Sequence, residues 1–189
     1  MKSVSLQKKL ILSAMFAALS SVGCFIQIPL PGGIPIVVQD MLCMLSGLLL
    51  GPIFGSLAVS IFLLLGAIGL PVYSGKAGLH VLLNGPTSGF LWGYLLAAFL
   101  GGLLLALALP QKKSRPQAAQ WIFITLAALL ATVTAFACGV AGGMLVMRVS
   151  FAKALAGYVL PFIPGNLIKL LLMVLLAKKF RPVIYNYTN

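Results

Sequence analysis

The sequence predicts an all-α integral membrane protein of six transmembrane helices with both termini cytoplasmic, a single domain over residues 1–189. Three observations lead there. The first is composition: 61% of the residues are hydrophobic and 7% charged, and the mean hydropathy is +1.14. A soluble domain has about a quarter of its residues charged, so a water-soluble fold, a basic nucleic-acid-binding protein and a disordered chain are all excluded. The second is spacing. A membrane-spanning helix consumes about 20 residues, so six take roughly 120 and leave no polar stretch for a second domain. The third is the sorting of charge. Of 13 Lys and Arg, nine fall in three segments: Lys2, Lys8 and Lys9; Lys112, Lys113 and Arg115; Lys178, Lys179 and Arg181. An even number of crossings separates these segments, and cationic loops stay cytoplasmic.

The elements follow in order. The first apolar run, Leu10 to Ile28, trails three lysines and contains a lipobox-like Ser21-Val-Gly-Cys24. Ser21 stands where a leucine is usual, and five more membrane segments follow, so a cleaved signal is not expected. Pro29 to Pro35 is an uncharged Pro- and Gly-rich stretch, read as a compact external loop. The second run, Ile36 to Leu50, ends at Gly51-Pro52, a tight cytoplasmic turn into the third, Ile53 to Leu70. These two should be antiparallel neighbours. Pro71 to Pro86 gathers Tyr73, Ser74, Lys76, His80 and Asn84 among glycines, the most polar external segment. The fourth run covers Thr87 to Leu109. The fifth, Trp121 to Met147, is long enough to need tilt. Arg148 and Lys153 mark an external loop before the sixth run, which starts in Pro161 to Lys169 and ends near Leu176. No inverted repeat of the kind found in many secondary transporters is visible.

The inventory of reactive side chains is short. Cys24, Cys43 and Cys138 all fall in apolar runs without CxxC spacing and read as small buried side chains. One histidine, His80, rules out a histidine metal cluster, and with Asp40 as the only acid, paired-carboxylate catalysis is excluded. Catalytic residues, metals and cofactors are therefore not expected. Polar groups in apolar segments are costly, so Gln39, Asp40, Asn84 and the pair Asn166 and Lys169 stand out as candidates for a binding site. Asn166 and Lys169 are three apart, on one helical face. The proline and glycine before them leave helix-terminal backbone donors free, a setting suited to a carboxylate or a polar ring. Bland roles exist for each: Lys169 can snorkel to the interface, Asn166 can cap its helix, and Asp40 can pair with a cation for structure alone. Lys76 and His80 read as solvated. Ala14 and Ala18, four apart on the first helix, form a smooth patch for another helix, either within this chain or in a partner.

Five elements together carry a resemblance: Ile34-Pro-Ile-Val-Val-Gln39, Leu50-Gly-Pro52, Gly66-Ala-Ile-Gly-Leu-Pro-Val-Tyr73, Asn84-Gly-Pro-Thr-Ser-Gly-Phe-Leu-Trp-Gly-Tyr94 and Pro161-Phe-Ile-Pro-Gly-Asn-Leu-Ile-Lys169. In order and spacing they resemble the BioY family of biotin transporters, the substrate-binding S components of energy-coupling factor (ECF) transporters. The resemblance implies six membrane helices around a biotin pocket that opens outward, capped by the loop between helices one and two. It also implies two ATPase subunits and a transmembrane coupling protein, docked on a small-residue motif to which Ala14 and Ala18 correspond. The loop around Asn84 and the start of helix six with Lys169 match the family's ligand-contacting regions. Biotin's ring and valeryl chain ask for apolar walls, for which Tyr73, Phe90, Trp92 and Phe162 are candidates. Two departures are visible: the family usually has an acid where this chain has Asn166, and Thr where it has Val37. Competing expectations are a sibling carrier for another small vitamin and, from a different class, a membrane-embedded enzyme or a pore. The missing acid–base set opposes the enzyme, and the absence of a polar stripe along any helix opposes the pore.

Overall fold

Every long element is a helix because an apolar backbone in lipid must satisfy its own hydrogen bonds. The computed structural model describes residues 2–28, 36–110 and 116–188. Helix α1 runs Lys2–Gly23, α2 Gln39–Ala67, α3 Leu79–Asn84, α4 Ser88–Ala108, α5 Gln117–Met147, α6 Phe151–Tyr158 and α7 Ile163–Thr188, with a 3-10 turn at Leu160–Phe162 before α7. Between α1 and α2, strands β1 (Gln27–Ile28) and β2 (Ile36–Val37) pair antiparallel, Gln27 opposite Val37. The capping loop expected at Pro29 to Pro35, and the cations Lys112, Lys113 and Arg115, lie outside the described residues.

Helix α2 is interrupted at Gly51, whose φ of 83° is open to glycine but strained for other residues. Pro52 follows and cannot donate into the first arm. The hydroxyl of Ser46 donates to the carbonyls of Cys43 at 2.7 Å and Gly55 at 3.1 Å. In an unbroken helix residues 46 and 55 would lie about 13 Å apart along the axis. The two arms, 39–50 and 52–67, therefore fold back on one another, as the Gly-Pro dipeptide led one to expect. Among the described residues, four stretches are long and apolar enough to cross a membrane: Gln39–Ala67, Ser88–Ala108, Gln117–Met147 and Phe151–Thr188. The chain is a multi-pass membrane protein.

The hairpin is the hub of the packing, with α4 lying against it and α5 against α4. A Cβ added at Gly47 would sit 2.1 Å from the Ala98 carbonyl oxygen, so only glycine lets the first arm of α2 reach α4. On the other side, the Ser13 hydroxyl of α1 contacts the carbonyls of Lys9 at 3.0 Å and Phe54 at 2.9 Å, tying α1 to the second arm. Leu48, Phe62, Leu105 and Met173 are fully buried where these elements meet.

Three boundaries differ from the sequence reading. Helix α1 ends at Gly23 rather than Ile28, because Gln27 and Ile28 enter the β1–β2 ribbon instead. Helix α7 continues past Leu176 through Lys178, Lys179 and Arg181 to Thr188; Lys and Arg are good helix formers, so polarity ends the apolar run without ending the helix. The segment after Arg148, expected to be a loop, holds α6, which buries Ala154 and Tyr158 at i and i+4 and exposes Phe151 and Leu155.

Among the described residues, Lys8, Lys178 and Arg181 lie where α1 begins and α7 ends, against the end of α4 and the start of α5. There Arg181 donates to the Leu105 and Leu109 carbonyls of α4 at 3.2 and 2.8 Å, Lys178 to Gln120 Oε1 at 2.6 Å, and Lys8 to the Tyr187 carbonyl at 2.7 Å. The Arg181 and Lys8 bonds satisfy carbonyls in the last turns of α4 and α7 with positive charge, the favourable sense of the helix dipole.

Replacing Gly47 by Leu is expected to lower stability by at least about 2 kcal/mol through overpacking. Gly157→Ala meets nothing within 4 Å and should leave stability unchanged or raise it by up to about 1 kcal/mol. Thermal unfolding of both variants in detergent checks the contrast.

Candidate functional site: a cavity with a buried ion pair

At the end of the bundle opposite those cations, the first turns of α2, α4 and α7 converge on the middle of α5. They enclose a cavity of about 660 Å³, its open mouth included.

One end of the cavity is polar. Asp40, in the first turn of α2, accepts from the Met41 N–H at 2.7 Å and receives Lys169 Nζ at 2.6 Å on its other oxygen. Lys169 also donates to the Val37 carbonyl at 3.0 Å. The side chains of Lys169 and Asp40 are 9% and 14% exposed. Lys169 thus turns inward rather than snorkelling to an interface. A buried charge with no partner costs several kcal/mol, and here each charge supplies the other's partner. Asn166, one turn ahead of Lys169, sits inside α7 and donates its amide to the Phe162 carbonyl at 2.9 Å, so it does not cap the helix. The carboxylate facing Lys169 therefore comes from α2 and not from position 166. Beside the pair, Gln39 is 1% exposed, and its Oε1 has no hydrogen-bond partner among the described residues. A buried acceptor left open in a cavity is a place for a ligand donor.

The rest of the lining is mostly apolar. Phe90 is the hub of an aromatic wall: its ring stacks on Tyr158 at 5.9 Å, meets Phe136 edge-on at 6.0 Å, and lies 6.5 Å from both Tyr94 and Phe162. Gly139 makes room for that ring, since a Cβ there would fall 2.4 Å from it. Across the cavity Tyr73 is buried edge-on to Phe62 at 5.7 Å, and its hydroxyl donates to the Leu63 carbonyl. Burial pushes the Tyr73 phenol up to about 12, so it stays protonated and donating.

The structure thus brings Gln39, Asp40, Tyr73, Asn166 and Lys169 to one cavity, together with Phe90 and Phe162. It leaves two candidates outside. Asn84 is exposed at the end of α3. Trp92 is 44% exposed, its indole N–H bonded to the Leu82 carbonyl at 3.2 Å. Two residues along a helix turn the side chain by about 200°, so a helix that aims Phe90 inward aims Trp92 elsewhere. The same periodicity could have found Tyr94, one turn after Phe90. Thr132 and Phe136, which also line the cavity, carry no such signal in the middle of an apolar run. Lys76 and His80 are exposed, and Ala14 and Ala18 lie on an exposed face of α1 beside Ile11, Met15 and Val22.

Known proteins offer a comparison. A family model described as the BioY family matches residues 1–186. The biotin transporter BioY of Thermotoga maritima is 35% identical over 177 residues, 92% of this chain and 96% of that protein. The biotin transporter BioY of Rhodobacter capsulatus is 35% identical over 190 residues, covering 94% and 96%. Among solved structures, the 2.1 Å crystal structure of the S-component for biotin from an ECF-type ABC transporter superposes with a TM-score of 0.79 at 30% identity, over 93% of this chain and 91% of that one.

Because Gln39 Oε1 is buried with no hydrogen-bond partner among the described residues, Gln39→Leu should raise stability measured without added ligand by about 1–2 kcal/mol. A thermal shift measured without ligand checks it; an unchanged or lower Tm counts against an open acceptor.

Proposed function

The chain belongs to the BioY family, and from that premise we infer that it serves biotin uptake as the S component of an ECF transporter. It is a transport protein and not an enzyme. One observation in the cavity carries the reading beyond kinship: an aromatic-walled space ends in a buried Lys169–Asp40 pair beside the open acceptor of Gln39. Biotin's fused rings suit the aromatic wall, and its ureido group has two N–H donors and a carbonyl acceptor to match Asp40, Gln39 and Lys169. Asn166 and Tyr73 complete the proposed binding set.

The finer points are part of the same proposal. Six crossings are supported by α1 and by the division of α2 into two arms. The gathering of cations at the shared end of α1, α4, α5 and α7 supports cytoplasmic termini in the cell membrane, with the cavity facing outward. The chain has no machinery to spend energy, so two ATPase subunits and a transmembrane coupling protein are proposed as partners. Their contact is the α1 face around Ala14 and Ala18, exposed and built of small side chains. A sibling carrier for another small vitamin is the second reading, favoured by Asn166 standing where the family usually has an acid.

Calorimetric titration of the detergent-purified protein with biotin, with thiamine and riboflavin as controls, tests the substrate. Tight, selective binding of biotin at about one site per chain is expected; a folded sample that binds only a control vitamin overturns the reading. Lys169→Ala should weaken biotin binding by about tenfold or more, because it removes the charged donor of the proposed site, and a hydrogen bond to a charged group is worth about 1.5–3 kcal/mol. Ala18→Phe should leave that binding unchanged yet cut uptake in cells expressing the coupling subunits by about tenfold or more, since a bulky ring blocks close helix approach. Equal uptake would remove the α1 face from the docking site.

A further inference from the structure

Asp40 is the only Asp or Glu in the chain, and it stands in the cavity against the only cation that lines it among the described residues. Joining the start of α2 to the start of α7 does not by itself call for charges. A first-turn acid on α2 gains a little from the helix dipole, but it would gain that equally at the surface. A buried ion pair is a weak source of stability compared with apolar side chains of the same shape. What the pair does change is the charge of the cavity's polar end: a lone Lys169 would make it +1, and Asp40 makes it zero.

That difference selects between the two ends of a molecule such as biotin. A cationic pocket end takes a carboxylate, which brings the missing counter-charge with it. A neutral end with an open acceptor takes an uncharged group that can donate. Gln39 Oε1 is that open acceptor, and a carboxylate, which has no hydrogen to give, cannot satisfy it. Lys169 is also held in place, since Asp40 and the Val37 carbonyl fix its ammonium at 2.6 and 3.0 Å.

Resting on the biotin reading above, we propose that Asp40 is the specificity-determining residue of this site: by cancelling and positioning Lys169 it makes the polar end accept the uncharged ureido ring first and turns the ligand's carboxylate toward the mouth. Asp40 acts on the ligand partly through Lys169, so a loss of affinity alone would not distinguish its role from a structural one. The ratio of two affinities does.

The test titrates wild type and Asp40→Asn with biotin and with its primary carboxamide, which differ only in the charge of the tail. The wild type is expected to bind both within about threefold, because its carboxylate end meets no cation in the cavity. In Asp40→Asn the ratio should shift toward the acid by roughly tenfold or more, about the weight of one charge-assisted hydrogen bond. Equal losses for both ligands, leaving the ratio unchanged, would mean that Asp40 is structural and would overturn the proposal. So would a wild type that prefers the acid by more than about tenfold, since one charge-assisted bond to the tail would account for it. Should the single variant not fold, Asp40→Asn combined with Asn166→Asp returns a carboxylate three residues from Lys169 on the same helical face. A wild-type ratio in that chain supports charge cancellation, and a ratio still shifted toward the acid overturns it. A wild type that binds neither ligand would instead overturn the biotin reading itself, a result separate from these.

Discussion

An ammonium group taken out of water costs several kcal/mol unless a carboxylate meets it, and Lys169 has a single carboxylate in the whole chain to meet. That Asp40 reaches it at 2.6 Å is therefore a constraint on the fold as much as a product of it. The pair joins the start of α2 to the start of α7, and the Val37 carbonyl adds the end of the β1–β2 ribbon to the same ammonium. Two segments far apart in sequence, the stretch from Val37 to Asp40 and the start of α7, are thereby held around one point, and the polar end of the cavity is that point.

The constraint can be met only because the rest of the bundle packs at short range. Helix α2 must return on itself for its first turn to face α7, and the break at Gly51 permits this. The first arm then lies against α4 with Gly47 at the Ala98 backbone, a distance no larger residue allows. With α4 so placed, Phe90 projects into the space between α4, α5 and α7, where Gly139 leaves room for its ring. The aromatic wall and the ion pair are thus two outcomes of the same close approach. Glycines carry that approach because lipid tails are as apolar as leucine, so contact geometry, not hydrophobicity, decides which helices meet.

Much of this was legible in the sequence, for physical reasons that also explain what was not. Apolar runs and cation clusters report the solvent each segment meets, so the helical membrane fold and the hairpin at Gly51-Pro52 could be read directly. The cost of burying polar groups singled out Gln39, Asp40, Asn166 and Lys169, and all four line the cavity. Hydropathy could not see where α1 stops, because Gln27 and Ile28 leave the helix for a strand pair formed with residues eight or more positions away. Nor could it separate Trp92 from Phe90, since both are aromatic and only the phase of the helix divides them. Asp40's partner was also beyond reach, because the sequence does not say which cation the fold brings to it; the structure brings Lys169, and the pair lines the cavity.

The two ends of the molecule therefore do different things, and α1 connects them. At the cation-rich end, Ser5 and Lys8 of α1 hold the Thr188 and Tyr187 carbonyls that finish α7. Ser13 binds α1 to the second arm of α2, whose hairpin reaches back to Asp40. A protein that grips the exposed face of α1 would consequently grip, through these contacts, the helices that form the cavity. Gripping it costs little, since the partner replaces lipid with side chains of equal polarity, and the small residues at Ala14 and Ala18 let shape supply the attraction. Under that arrangement, force applied to α1 moves the binding cavity as part of one body, the requirement for a carrier that holds its ligand but draws its energy from elsewhere.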